Sequence, residues 1–253
     1  MNTTQKFHDS VLKHQTRRDL TDKIFDQFGD TASLNIWTLP ADVLEFEARL
    51  MRYHRGKVEF FGVEKDKQTY ARAWDKAAKL GLPLTLERMY DLDYWDRPAQ
   101  NKLDFIWLDR CSPYCSDVPY SLDLIFENGH LSFKNGNPII ALTVLAARET
   151  HENSEYLRSL VISDFYKSAV KSVELKDELG FARHYGIPRE LNRVAQTHDH
   201  TLVLQSRTYY KDSIRKARST PMLLFVFEVH KGIFKYNDKL VPTVRKETLF
   251  DFH

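Results

Sequence analysis

The stretch Pro138-Ile139-Ile140-Ala141-Leu142-Thr143-Val144-Leu145 carries no charge and follows the turn signal Asn135-Gly136-Asn137. It is far shorter than the roughly 20 apolar residues that cross a bilayer. It suits a strand buried on both faces, as in the middle of a parallel sheet. Earlier segments agree with that placement. Residues 33–40, 57–63, 84–89 and 103–109 are short apolar runs, and residues 43–53, 67–80 and 118–130 between them have helical spacing. Strands alternating with helices of about 10–15 residues predict a mainly parallel sheet with right-handed crossovers.

The two ends of the chain read differently. Residues 6–28 space Phe7, Val11, Leu12, Leu20, Ile24, Phe25 and Phe28 along a helix that stops at Gly29-Asp30. This predicts an N-terminal helical extension over residues 1–32. Residues 154–195 read as helical, with a break at Gly186-Ile187-Pro188. Residues 201–206 and 222–229 are apolar strands expected to pair antiparallel. The main domain is therefore expected over residues 33–231, with seven strands, and residues 232–253 form a tail without assignment.

Composition narrows the function. With 253 residues, 42% hydrophobic and 13% aromatic, the chain can build a substantial core. No run is long enough to span a membrane, and Met1-Asn2-Thr3-Thr4-Gln5-Lys6 lacks the apolar segment of a secretory signal. Cys111 and Cys115 have no second pair to complete a Cys-only zinc site, and they fit reduced thiols. A cytoplasmic protein is expected. The net charge of +2 hides an asymmetry: residues 1–153 carry 20 Lys and Arg against 23 Asp and Glu, whereas residues 154–253 carry 17 against 12. The densest basic stretch runs from Arg207 to Arg218, where Arg207, Lys211, Arg215, Lys216 and Arg218 surround Tyr209 and Tyr210. Cations there would attract phosphates and the tyrosines would offer bases a stacking surface. The plainer reading is a solvated loop between two strands.

Lys57-Val58-Glu59-Phe60-Phe61-Gly62-Val63-Glu64-Lys65-Asp66 reads as a strand that ends on an acid and enters a helix. An acid at the carboxyl end of a parallel strand faces the crevice where open α/β sheets bind ligands, and it can accept hydrogen bonds from a ribose diol. Glu64 is expected in that role, with Asp66 capping the helix. The alternative is an acid that serves only as a cap.

Five parallel-type strands followed by an antiparallel pair resemble the Rossmann-like fold of class I S-adenosylmethionine-dependent methyltransferases. The resemblance covers about residues 33–230 and is closest to a divergent branch met in phage and mobile-element genomes. That branch replaces the Gly-rich first loop with a Leu-Pro-(Gly/Ala) turn and a Phe-Glu pair, here Leu39-Pro40-Ala41 and Phe46-Glu47. The resemblance implies S-adenosylmethionine as cofactor. It places Leu39, Pro40 and Ala41 at the first cofactor loop, Glu64 on the ribose, and Asp91 or Asp93 near the adenine amino group. Asp109 then begins the substrate-facing motif. Residues 38–42 contain no glycine, although backbone in this loop normally approaches the cofactor closely. A methyltransferase fold kept as a non-catalytic module, binding nucleic acid or a partner protein, would show the same departure.

Asp109-Arg110-Cys111-Ser112-Pro113-Tyr114 would face the transferable methyl group. Its Ser-Pro-Tyr element resembles the Asp/Asn/Ser-Pro-Pro-aromatic motif of nucleobase amino methyltransferases, with one proline missing. Asp109, Ser112 and Tyr114 are then the acceptor residues, the tyrosine stacking on a flipped base. Cys111 could instead attack a pyrimidine, but the Pro-Cys dipeptide of that class is absent and a buried small residue is the simpler reading. His198-Asp199-His200, with Tyr209 and Tyr210 downstream, has the composition of a metal-dependent nicking site. The pair enters a strand from a polar loop, so surface histidines are expected and no metal site is assigned. The expected partner is nucleic acid, DNA or RNA.

Overall fold

The computed structural model describes residues 11–40, 43–146, 149–161, 178–212, 221–235 and 243–248. The chain divides into two compact units. One is built on residues up to Asp109 with Asn128–Ala141, the other on Arg110–Glu127 and residues from Leu142 onward.

The first unit opens with α1 (Val11–Phe28), followed by β1 (Leu34–Thr38), α2 (Glu45–Tyr53), β2 (Val58–Val63), α3 (Lys67–Leu80), β3 (Leu84–Glu87) and the short α4 (Asp91–Trp95). Strands β1 and β2 pair parallel, as do β2 and β3, and β1 also pairs parallel with β4 (Phe105–Pro113). Helix α3 has clear local causes. The Asp66 side chain accepts from Thr69 N–H at 2.8 Å, and Gly81 ends the helix in the left-handed region at φ 63°. Trp37, Phe46, Phe60, Trp95 and Phe105 are fully buried, with the Trp37 and Trp95 rings 4.4 Å apart. Burial of each such ring contributes about 2–3 kcal/mol, offsetting the entropy of ordering the chain.

The second unit holds α5 (Asp117–Glu127), α6 (His151–Ser159), α7 (Glu178–Phe181), a π-helical turn (Ala182–Gly186) and α8 (Ile187–Thr197). Strands β6 (His200–Asp212) and β7 (Met222–Lys231) pair antiparallel as expected. The predicted break at Gly186-Ile187-Pro188 is absent. The helix runs on through a π-turn, where the Ile187 N–H bonds the Ala182 carbonyl, and Pro188 follows directly after this widened turn.

The sheet has eight strands in the order β3-β2-β1-β4-β5-β7-β6-β8. Strand β5 (Ile139–Leu145) is buried on both faces through Val144, as its apolar run predicts. The eighth strand, β8 (Thr243–Thr248), pairs parallel with β6 and lies in the unassigned tail. Two strands also exceed their predicted lengths. Strand β4 continues past Asp109 to Pro113, and β6 continues past Ser206 to Asp212.

Candidate active site

In an open parallel sheet, ligands gather where the strand order reverses, outside the carboxyl ends. Here the order reverses between β1 and β4. Strand β1 ends at Thr38 and runs into Leu39 and Pro40, with Pro40 buried. Its exit folds against β2. A Cβ added at Gly62 would stand 2.7 Å from the Thr38 carbonyl oxygen and 2.8 Å from the Pro40 ring. The glycine missing from the first loop is thus matched by one on the neighbouring strand, which lets the two backbones approach. Leu44 then enters α2 at φ 51°, an unusual backbone for a branched side chain, next to this turn. Ala41 lies outside the described residues.

Two residues beyond Gly62, Glu64 is part-exposed. Its Oε1 accepts the Asp66 N–H at 2.8 Å, and Oε2 has no partner among the described residues. The carboxylate is held in place with one oxygen available to a ligand. At the exit of β3, Arg97 donates to Glu87 at 3.0 Å and the Lys65 ammonium lies 4.9 Å from the centre of the Tyr90 ring. Asp91 and Asp93 open α4, Asp91 part-buried and Asp93 exposed.

Glu47 from α2 is only 2% exposed, and it accepts the Thr38 hydroxyl at 2.6 Å. Burial raises its pKa above the usual carboxylate range, with repulsion from Asp109 adding to the rise, while the Thr38 hydrogen bond and Arg17 oppose it. Asp109 is answered by Lys13, whose ammonium donates to both carboxylate oxygens at 2.5 and 2.6 Å. Lys13 is 1% exposed and Asp109 12%. Arg17, one turn further along α1, pairs with Glu45 of α2.

Among the described side chains of α1, the buried face is Lys13-Thr16-Arg17-Leu20-Thr21-Ile24, a helical stripe in which two of six residues are apolar. A helix that buries cations must find anions, and Asp109 and Glu45 supply them. Lys13, Arg17 and the buried Glu47 are therefore part of this site although the apolar pattern alone does not mark them. The mixed polar stripe is the signal that finds them.

Several expectations for the second unit need correction. Tyr114 is 1% exposed, and its hydroxyl donates to Glu190 at 2.7 Å, while Tyr156 donates to the other Glu190 oxygen at 2.6 Å. Burial and the Glu190 charge push the Tyr114 hydroxyl pKa well up. A ring enclosed in this way has no face to offer a flipped base. Ser112, by contrast, is exposed near the end of β4. Arg207 and Tyr210 are fully buried within β6, with the Arg207 guanidinium 4.5 Å from the centre of the Tyr185 ring. Tyr209 is part-buried beside His184. The expected basic loop is strand through Asp212. Lys211 closes that strand with its side chain undescribed, and Arg215 lies outside the described residues. His198 pairs with Asp123 at 2.7 Å and His200 hydrogen-bonds the His198 carbonyl oxygen at 2.6 Å. Among the described residues, no three acidic, His or Cys side chains gather as a metal site would require.

No family model and no curated protein matches the sequence. Solved structures do match the fold. Magnesium protoporphyrin IX methyltransferase from Synechocystis, with SAH bound, aligns at a TM-score of 0.53 over 90% of this chain and 87% of that one, at 8% identity. A candidate methyltransferase from Escherichia coli aligns at 0.52 over 88% of both chains, also at 8% identity. The fold is that of the class I methyltransferases. A candidate transferase from Pyrococcus horikoshii aligns at 0.51 over 88% of this chain and 65% of its own length, at 11% identity. Within the methyltransferase fold, Thr38 and Glu64 stand at the carboxyl ends of β1 and β2 while Asp109 lies inside β4, and no helix among the described residues is long and apolar enough to cross a membrane.

Proposed function

We propose that this chain transfers a methyl group from S-adenosylmethionine to a nucleic acid base. The observation that carries the reading is Glu64, fixed by the Asp66 N–H and with Oε2 lacking a partner among the described residues, beside the close approach of Pro40 to Gly62. A carboxylate in that position matches a ribose diol, whose two hydroxyls need acceptors. Asp91 and Asp93, at the next strand exit, are acceptors placed for an adenine amino group. These acceptors suit the hydroxyl and amino donors of the cofactor. When bound, S-adenosylmethionine supplies a sulfonium methyl open to in-line attack.

The chain's own contribution is alignment. Glu64 orients the ribose, and Leu39 and Pro40 shape the wall beside it. Asp109 receives the acceptor amine once Lys13 releases it. Positioning of this kind can lower a barrier by about 7–11 kcal/mol without covalent catalysis. The acceptor class rests on the basic balance of residues 154–253. Calorimetry with S-adenosylmethionine, followed by transfer of labelled methyl to single-stranded RNA or DNA, tests the reading. Folded protein that binds no cofactor at millimolar concentration overturns it.

Two observations favour a second reading, a non-catalytic module that binds nucleic acid or a partner protein. Asp109 is already held on both oxygens by Lys13, and a proline occupies the loop where glycines usually stand. Under this reading Glu64→Ala leaves nucleic acid binding unchanged and no methyl transfer is found in the wild type.

A further inference from the structure

We propose that the cleft between α1 and α2 binds the phosphodiester backbone of a nucleic acid strand, resting on the reading that the acceptor is a nucleic acid. The cleft has a volume of about 400 Å³ and is lined by His14, Arg17 and Arg18 from α1 and by Glu45, Ala48, Arg49 and Arg52 from α2. Residues 14, 17 and 18 share one helical face, and so do residues 45, 48, 49 and 52. Two cationic faces are thus turned toward one groove, and Ala48 keeps the space between them clear.

The charges do not balance within the cleft. Four guanidiniums and one imidazole face a single carboxylate, Glu45. That carboxylate already serves two of them, Arg17 and His14, the latter at 2.9 Å. Arg49 lies over the Tyr53 ring at 5.3 Å, and its Nε is buried without a hydrogen-bond partner among the described residues. A buried donor left unmatched is costly, and like charges facing across a helix pair repel. An anion in the cleft offsets that repulsion. Guanidinium forks match phosphate oxygens in pairs, and Arg49 and Arg52 repeat one turn apart, so a row of phosphates suits them better than a single one. The expected basic loop on β6 cannot serve instead through Arg207, which is buried.

The test measures anisotropy of a labelled single-stranded RNA of about 12 nucleotides across a salt series. Arg18 and Arg52 are exposed and stand outside the proposed active site, so Arg18→Glu with Arg52→Glu should leave the melting temperature and cofactor affinity unchanged. The double variant is expected to bind RNA at least about ten-fold more weakly, with a log–log salt slope shallower by about 1.4. Wild-type RNA binding that survives in the double variant overturns this cleft while leaving the acceptor reading intact. No RNA or DNA binding by the wild type overturns both. Stabilisation by sodium pyrophosphate alone, lost in the double variant, would assign the cleft to free phosphates and overturn the strand. Equal competition by poly-glutamate would likewise reduce it to a general polyanion site.

Discussion

Thr38 of β1 and Asp109 of β4 belong to the first unit with the carboxyl ends of β2 and β3, yet the two pairs of strands handle charge in opposite ways. Beside β1 and β4, Lys13, Glu47 and Arg17 are buried and Asp109 nearly so, each tied to a named partner. Beside β2 and β3, Glu64 is part-exposed, Asp93 is exposed, and Tyr90 is 59% exposed. Burial makes the first set costly to disturb, whereas solvent screens the second and leaves it ready to exchange partners. Stability effects should therefore concentrate on one pair of strands and ligand effects on the other.

The largest expected effect follows from Lys13→Ala. It leaves Asp109 charged and mostly enclosed, costing about 3 kcal/mol by urea denaturation. Pairing it with Asp109→Asn should recover most of that loss. A cost under about 1 kcal/mol, the range of an exposed pair, would erase the contrast. Gly62→Ala comes next, at about 2 kcal/mol, because its methyl meets the Thr38 carbonyl and the Pro40 ring. Thermal melting reads it directly, and an unchanged melting temperature would mean that the β1 exit yields.

Glu64→Ala should move binding instead of stability. Loss of hydrogen bonds to a charged group costs about 1.5–3 kcal/mol, or about 10–100-fold in the cofactor Kd by calorimetry. A fall in melting temperature with affinity unchanged would make Glu64 a structural cap. The smallest effect belongs to Glu47→Gln. Its raised pKa means that the unfolded chain loses this proton first as pH rises, so stability falls from the ordinary carboxylate pKa up to the raised one. The variant lacks that loss. Its melting temperature relative to wild type should climb across the window, and a flat difference would show that Glu47 ionises without penalty.

The residues that sequence alone reveals are those whose neighbours are local. Strand β5 shows itself by an uncharged run, and Glu64 by a strand that ends on an acid before a capped helix. Lys13 escapes because its partner lies 96 positions away and an apolar pattern discards charged residues. Arg207 escapes for a different reason. The register between β6 and β7 shifts between Leu204 and Ser206, and one extra residue exchanges the two faces of the strand beyond it. Alternation counted from Leu202 and Leu204 places Arg207 on the opposite face, whereas after the bulge it shares theirs and reaches Tyr185. Tyr114 escapes because Glu190 comes from a helix 76 positions on.

The eighth strand bears on how copies of this chain keep apart. The outermost strands are β3, with four residues, and β8, whose sequence is Thr-Val-Arg-Lys-Glu-Thr. Short or charged borders discourage sheet-to-sheet joining between molecules. Without β8, the border would be β6, thirteen residues long and carrying Leu202, Leu204, Tyr209 and Tyr210. Strand β8 pairs with Arg207–Asp212 and so confines the open border of β6 to its first part, His200–Ser206, a shorter edge for a second copy to extend.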